Sequence, residues 1–536
     1  MTFPIRSGVL ALAALAALAA PAFAQTPTAD ADPSLVQRYQ ASITPSELAG
    51  HLYVYADDFM AGRDTGAPGQ RFASRYLAGQ YQTMGVAAHG SSAVASGTSM
   101  APYSIDGYLQ PFMLERSTLR SMTVTATRDG APLMQATIRP DDTAGAILVP
   151  AYGQVESDAP GRVVYVGTAT AFDGVDLDGA FAIVSPGTAT DPADQAATQA
   201  RLAALGTAGV RGVILAVAPT VSALGQQAAR AFRGGRLALP EVAGAEEEGG
   251  GMPAVFLTGQ DVVQQMLGAT LPTAPSATNV MLSVASDRET VQVPTENVVA
   301  MVPGSDMADE FVIVSAHLDH VGVNANAAAG EDAIFNGADD DGSGTVALLE
   351  IAEAFQQARA DGHGPRRSVL FLHVTGEEKG LLGSEYFADR EPLVPLTSIA
   401  ANLNIDMIGR HDPTYEGNAS PYVYILGAEL ISSELDDINT RVNTATGLGI
   451  DLSKRFNSPD DPNQFFRRSD HWNFGKHGIP FIFYFTGTHE DYHGVGDEPA
   501  KIDYDRQAMI ARLVFGTAWQ VANQDARPAV SGTGFN

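Results

Sequence analysis

Apolar and polar positions fall into three textures along this chain. From residue 297 onward, apolar runs of strand length recur at 311–316, 369–374, 403–407, 422–426 and 481–485. They are rich in β-branched and aromatic residues and lack the every-second-residue polarity of a sheet with one wet face. Continuous runs of this kind suit strands covered on both sides. Between them, residues 345–357 form an amphipathic segment with Val346, Leu349 and Phe355 among its apolar positions. Strands alternating with helices predict an α/β fold with a mixed, mostly parallel sheet sandwiched by helices. Upstream, residues 44–84 read as helical, with Phe72, Tyr76, Leu77, Tyr81 and Met84 on one face and Gly85 as the stop. A Gly/Ser-rich loop follows at 87–102, then short strand-like runs between about 105 and 150.

The third texture spans 151–290. Strand-like runs at 163–166, 181–184, 210–217 and 254–257 surround an Ala-rich helical stretch at 192–205, with a further helix at 260–267. The segment GAEEEGGG (244–251) is an acidic loop, and no repeat of fixed period is present.

The N-terminus changes the address of the protein. Arg6 precedes a small, apolar run of 14 residues, 7–20, short for the roughly 20 residues of a membrane span. Ala22-Phe23-Ala24 then fits a small-x-small cleavage site. This predicts a signal peptide over 1–24, removed on export to the periplasm or beyond, with no membrane anchor afterwards; the alternative is an uncleaved anchor. A polar leader fills 25–43, and 526–536 form a tail.

The full chain of 536 residues is too long for one ordinary domain, and its 45% hydrophobic content supports a large core. Lys and Arg number 32 against 61 Asp and Glu, a formal charge of −29. Such a field repels phosphate backbones, which argues against nucleic acid as a partner. Cysteine is absent, so thiol nucleophiles, thiolate zinc sites and disulfides are excluded together. Any metal must be held by His, Asp and Glu.

Those residue types gather where strands are predicted to end. His317-Leu318-Asp319 closes the first run, Glu377-Glu378 follows the second, and Asp406 ends the third. The loop after 481–485 carries His489, Glu490, Asp491, Tyr492 and His493, and NGADDDGSG (336–344) places Asp339, Asp340 and Asp341 before a helix. In an open parallel sheet, ligands bind outside the carboxyl ends of the strands. So many carboxylates at one edge call for cations, and two divalent metals with N/O donors, zinc foremost, resolve the conflict. Singly, each motif has an ordinary reading: a strand-end residue, a helix cap, a solvated pair. Neither a Gly-rich phosphate loop nor a GxSxG elbow occurs.

Taken in order, HLD (317–319), NGADDDGSG (336–344), TGEEKGLLGS (375–384), NIDMIG (404–409) and TGTHEDYH (486–493) resemble the motifs of the co-catalytic di-zinc aminopeptidases. That family also includes glutamate carboxypeptidase, glutaminyl cyclase and the non-enzymatic transferrin receptor. GRDTGAPG (62–69) is similar to a family signature too. The resemblance covers about 44–150 and 295–520. The intervening 151–290 looks like the β-rich protease-associated domain that some members insert before the metal-binding half, placed here at 291–525.

The resemblance implies that Asp340 bridges two zinc ions, His317 and Asp406 completing one and Glu378 and His493 the other. It makes Glu377 the general base and Tyr492 a group that stabilises the transition state. Asp319 would accept a hydrogen bond from His317 and fix its tautomer. SDHWNFGKHGIPF (469–481) is similar to a pocket-lining stretch, making Asp470 and His471 candidate substrate contacts. Asp341 reads as a helix N-terminal acid, and His320 and His489 have no implied role.

An exported zinc aminopeptidase acting on peptides is the function this implies. Carboxypeptidase or dipeptidase cleavage, glutaminyl cyclisation and a receptor-like binding protein are the alternatives. A filled set of metal positions argues against the receptor. The carboxylates argue for recognition of an α-amine. A carboxylate terminus would need a cationic clamp; Arg410, Arg467 and Arg468 lie nearby, the last two among aspartates expected to hold them.

Overall fold

The computed structural model describes residues 32–532 except 97–103, 144, 154, 156–157, 173, 186–191, 226–231, 233–234, 242–252, 269, 418–420, 459–460 and 462. The expected signal peptide (1–24), residues 25–31 of the leader, the acidic loop 244–251 and residues 533–536 of the tail lie outside the described residues.

Local capping sets the first helices. Asp32 accepts the Ser34 N–H at the start of α1 (Pro33–Gln40). Thr44 caps α2 (Pro45–Tyr55), its Oγ1 accepting the Glu47 N–H and donating to Glu47 Oε2. Helix α3 (Pro68–Met84) begins with proline and stops at Gly85, whose φ of 74° suits a glycine. The stretch 44–84 is therefore two helices. Between them GRDTG turns sharply, with Ala61, Gly62 and Arg63 all at positive φ. Leu77 and Tyr81 enter the core as expected, whereas Phe72 is 52% exposed and packs on Phe59.

Residues 109–150 hold a long strand, β1 (Leu109–Arg128), where only short ones were expected, followed by the short strand Ala131–Ile138 and the start of another at Val149–Tyr152. A lobe then follows with β2 (Gly161–Gly167), β3 (Phe181–Val184), α4 (Pro192–Thr207), β4 (Gly212–Ala218), β5 (Ala254–Gly259) and α5 (Gln260–Leu267). The return strand β6 (Ser276–Val302) runs antiparallel to β1 along almost its whole length. After it come β7 (Met307–His317), α6 (Gly344–Ala360), β8 (Arg367–Val374), β9 (Ile399–Ile405), β10 (Tyr422–Gly427), α7 (Ser433–Ala445), β11 (Asp451–Ser453), β12 (Phe481–Phe485) and α8 (Tyr504–Asn523).

The principal strands form one continuous sheet in the order β11-β10-β12-β9-β7-β8-β6-β2-β3-β4-β5. The central four, β12, β9, β7 and β8, are mutually parallel, with β10 and β6 antiparallel on either side. All four point their carboxyl ends to one edge. Their residues are buried throughout β8, β9 and β12, which accounts for the unbroken apolar runs. Helix α6 is buried over most of its surface because α2, α3 and α8 cover it; Phe355 meets Phe515 and Trp519 with ring centroids 4.7 and 5.7 Å apart.

The lobe has its own apolar core. One face joins Leu119, Met122, Val124 and Ile138 to Val163, Phe181, Ile214 and Phe256; the other joins Val164, Val184, Leu202 and Leu205. Its packing thus begins upstream of residue 151, and β6 crosses residue 290 without a break. At the junction, Leu237 packs with Val293 and Leu382, close to the turn that carries Glu377 and Glu378.

Candidate metal centre

The topology delivers His317 from the end of β7, Glu377 and Glu378 from the turn after β8, Asp406 from the end of β9, and His489 to His493 from the loop after β12. Asp340 arrives on the 338–343 turn that leads into α6, where the Asp340–Asp341 peptide is cis.

Asp340 is central. Its Oδ1 lies 3.2 Å from His317 Nε2, which is 3.6 Å from Asp406 Oδ1. Its Oδ2 lies 3.1 Å from His493 Nε2, which is also 3.1 Å from Glu378 Oε2. His320 joins this second group, with Nδ1 2.8 Å from Glu378 Oε1 and 3.8 Å from Asp340 Oδ2. Two sets of side chains are close enough to hold an ion: His317, Asp340 and Asp406, and His320, Asp340 and Glu378. Donors around a tetrahedral zinc stand about 3.3 Å apart when bonds are 2.0–2.1 Å, so these spacings fit. His317 Nε2, Asp340 Oδ2 and Glu378 Oε1 are buried without a hydrogen-bond partner among the described residues. Burying such atoms unpaired is costly, and a cation resolves it.

The electrostatics agree. Burial opposes charge on His317, yet Asp406 and Asp340 outweigh it and hold the imidazolium well above its usual range. His493 is raised to about 10, burial being overcome by Asp340 and Glu378. Burial pushes Asp340 upward, but His317 and His493 hold it well below the usual carboxylate range. Glu378 sits at about 2, His320 and His493 outweighing burial and the Asp340 charge. Glu377 goes the other way: burial first, then Glu378, Asp406 and Asp470, raise it well above its range.

Buried polar groups brace the donors. Asp341 is tied to three elements, accepting the N–H groups of His317, Gly344 and Met407; its helix-start role is only one of these. Asp497 accepts the N–H groups of Asp339 and Asp340, and the buried His489 places Nε2 3.3 Å from Asp339 Oδ2. Arg63, wholly buried, donates to the carbonyls of Leu318, Tyr55, Asn336 and Gly337 and so pins the His317 segment to the Asp340 loop. Arg63 belongs to the GRDTG stretch, which sequence reading singled out without a role; Asp497, four residues past His493, was missed.

Three expectations are corrected. His317 Nδ1 faces the backbone carbonyl of Asp319 at 3.1 Å, while the Asp319 carboxylate is 3.9 Å away. That carboxylate instead accepts from the Thr65 hydroxyl and the Glu377 N–H, because the chain turns back after Leu318. Asp470 is completely buried, accepts from Ser384 Oγ and is pushed by burial to about 7, so it offers no surface to a substrate. His471, also buried, places Nε2 2.9 Å from the Phe466 carbonyl and stacks on Phe483 at 4.5 Å; burial lowers it to about 3.

A cleft opens over the donors, lined by Glu377, Met407, Phe465, Phe483, Phe485 and Tyr492 as well as Arg468. Tyr492 stacks on the His493 ring at 4.0 Å, and burial, then Asp340, raises its phenol. Arg410 is paired with Glu490 and Asp491. Arg467 and Arg468 make no ion pair among the described residues and lie over the rings of Trp472 and Phe465; Asp460, one of the aspartates expected to hold them, lies outside the described residues.

Residues 297–518 match the model of peptidase family M28, the stretch that contains every donor described above. Among curated relatives, a probable zinc metalloprotease of Pyrenophora teres f. teres is 25% identical over 46% of this chain and 55% of its own length. A probable leucine aminopeptidase 2 of Aspergillus oryzae is 31% identical over 40% of this chain and 38% of its own. The chain thus spans about half the length, or less, of these relatives. The solved aminopeptidase of Aneurinibacillus sp. strain AM-1 superposes with a TM-score of 0.52 at 17% identity, over 94% of this chain and 99% of that one, and so shares the fold.

Proposed function

We propose that this chain is an exported di-zinc exopeptidase that removes N-terminal residues from peptides. The observation that carries the reading is Asp340, whose two oxygens face separate donor groups at 3.2 and 3.1 Å. His317 and Asp406 would hold one ion with it, and Glu378 and His493 the other. When bound, the pair supplies Lewis-acid chemistry that makes water a nucleophile near neutral pH and polarises the scissile carbonyl. The chain's own residues do the rest. Glu377, at the cleft wall, accepts the water proton as the C–O bond forms, then delivers it to the amide nitrogen as the C–N bond breaks. Tyr492, in the cleft wall beside His493, would donate to the carbonyl oxygen as charge develops there. Met407, Phe465, Phe483 and Phe485 offer an apolar wall to the terminal side chain.

Export rests on the N-terminal pattern; among the described residues, no helix is long and apolar enough to cross a membrane. The lobe is proposed as a protease-associated module that shapes access for longer peptides, supported by Leu237 packing beside the Glu377 turn.

Arg468 supports a second reading. An arginine at the cleft without an ion pair among the described residues is suited to a substrate carboxylate, which favours a carboxypeptidase or dipeptidase. A matched pair decides: an aminoacyl amide with a free amine against an N-acylated dipeptide with a free carboxylate. The aminopeptidase reading expects faster turnover of the amide; faster turnover of the dipeptide overturns it and leaves the di-zinc hydrolase standing.

A further inference from the structure

His320 has no part in the five-residue donor set, yet the fold aims it there. Its N–H is tied to the Arg63 carbonyl, and its ring, fully buried, lies against Gly337, where a Cβ would come within 2.5 Å of the ring carbon Cδ2. The glycine makes room for the imidazole. Nδ1 faces the carboxylates of Glu378 and Asp340, and neither ring nitrogen has a hydrogen bond of good geometry among the described residues.

We infer that His320 is a fourth protein ligand, through Nδ1, of the divalent cation held by Asp340, Glu378 and His493. The inference rests on the di-metal reading above. His493 Nε2 lies 3.1 Å from Asp340 Oδ2 and from Glu378 Oε2, and His320 Nδ1 lies 3.8 Å from the same Asp340 oxygen and 2.8 Å from Glu378 Oε1, so the two imidazoles face one Asp340 oxygen and the two oxygens of Glu378. These separations scatter about the roughly 3.3 Å edge of a tetrahedral zinc site. The rings of His320 and His493 have centroids 5.8 Å apart at 68°, near the distance of about 5 Å for two imidazoles converging on one tetrahedral zinc. The two sites are then unequal. His317, Asp340 and Asp406 supply three protein donors and leave a position open beside Glu377, the pattern of a catalytic zinc. His320 fills the other site with four donors, the pattern of a closed, structural zinc. The closed ion orients Asp340 and is held the more tightly.

The test is the structure of the zinc-loaded protein by anomalous scattering, with chelator titration of the parent, H320A and H320Q. The expected result is His320 Nδ1 at about 2.0–2.1 Å from one zinc. In both variants one of the two zinc affinities should fall at least about a hundredfold, the upper end of what loss of a supporting group alone costs, with the other unchanged. Two bound zinc ions with His320 Nδ1 hydrogen-bonded to Glu378 and away from metal overturn this inference and leave the di-metal reading intact. A parent protein that takes up fewer than two zinc ions overturns that reading, and this inference with it.

Discussion

Two regions of this molecule are built on parallel strands of one continuous sheet, and among the described residues only one of them gathers side chains that could hold a metal ion. In the C-terminal region β7, β8, β9 and β12 lead, in that order, to His317, Glu377, Asp406 and the His489–His493 loop. In the lobe β2 and β5 end at glycine, β3 runs into Ser185, and β4 into Pro219. The strands themselves are alike: β3 is as buried along its length as β9. All eleven histidines lie outside residues 90–316. Among the described residues, the lobe contains no side-chain group able to hold a metal. A parallel sheet supplies an edge, but the residues following its strands decide whether that edge is a site. The difference extends to the bracing. The C-terminal loops are cross-tied by Arg63, Asp341 and Asp497, and those ties fix donors rather than merely closing turns.

The sharpest break between the regions comes from Asp340→Ala. If this carboxylate is shared, both zinc ions are lost on elemental analysis. Activity then falls below about one-thousandth, since charge stabilisation and water activation disappear together. Retention of one tightly bound zinc would show that Asp340 serves a single site. Next in size is Glu377→Gln, which keeps the shape but cannot take a proton. It should lower kcat by about a hundredfold to ten-thousandfold with zinc content unchanged. A near-parental kcat would assign the proton transfer elsewhere.

How much of this was legible beforehand follows from the same contrast. The fully buried strands of the C-terminal region announce themselves as apolar runs, and His317, Glu378 and Asp406 stand at or just past their ends. Asp340 and His493 lie in loops farther on, and the set of five was named through the motif resemblance; the fold brings all five side chains together. Roles that depend on where the chain turns were not legible. Asp319 lies two residues from His317, but its carboxylate turns toward Thr65 and Glu377. Asp470 and His471 open a short helix that faces inward, which a polar-looking motif does not reveal. Arg63 reaches partners more than 250 residues away, and His320 meets Asp340 and Glu378 from other elements, through contacts that no local period encodes. The β1–β6 ribbon escaped for a related reason: its two strands alternate weakly, and their pairing joins residues more than 150 apart in sequence.

The lobe offers the reverse experiment. Phe181 is wholly buried at its centre, so Phe181→Ala should cost about 3–5 kcal/mol of lobe stability. Zinc content should not change, because no donor group touches that core. Limited proteolysis and elemental analysis on the same sample check this. Zinc loss from protein whose C-terminal region remains folded would mean that the lobe supports the metal site directly.

The smallest expected effect concerns acid sensitivity, which should belong to the C-terminal region alone. His373 lies in β8, wholly buried, with Nε2 2.6 Å from the Tyr81 hydroxyl, and burial lowers its pKa to about 3. The unfolded chain binds a proton at about 6.5, where the folded chain does not. Stability contributed by the neutral ring is thus fully present above about pH 6.5 and is lost as pH falls from there toward about 3. The slope is about 1.4 kcal/mol per pH unit within the window. His471, lowered to about 3 as well, adds to the same limb. Replacing His373 by Phe removes one titration and the Tyr81 contact together. The variant should be less stable than the parent at pH 7.5, yet lose about 1 kcal/mol less than the parent between pH 7.5 and 5.5. Urea midpoints of metal-free protein at the two pH values measure the difference, with metal release removed as a variable. Equal acid losses in the two proteins would place the sensitive group elsewhere. Since the lobe carries no histidine, a sensitive group found there would have to be a carboxylate, and would weaken the division of labour drawn here.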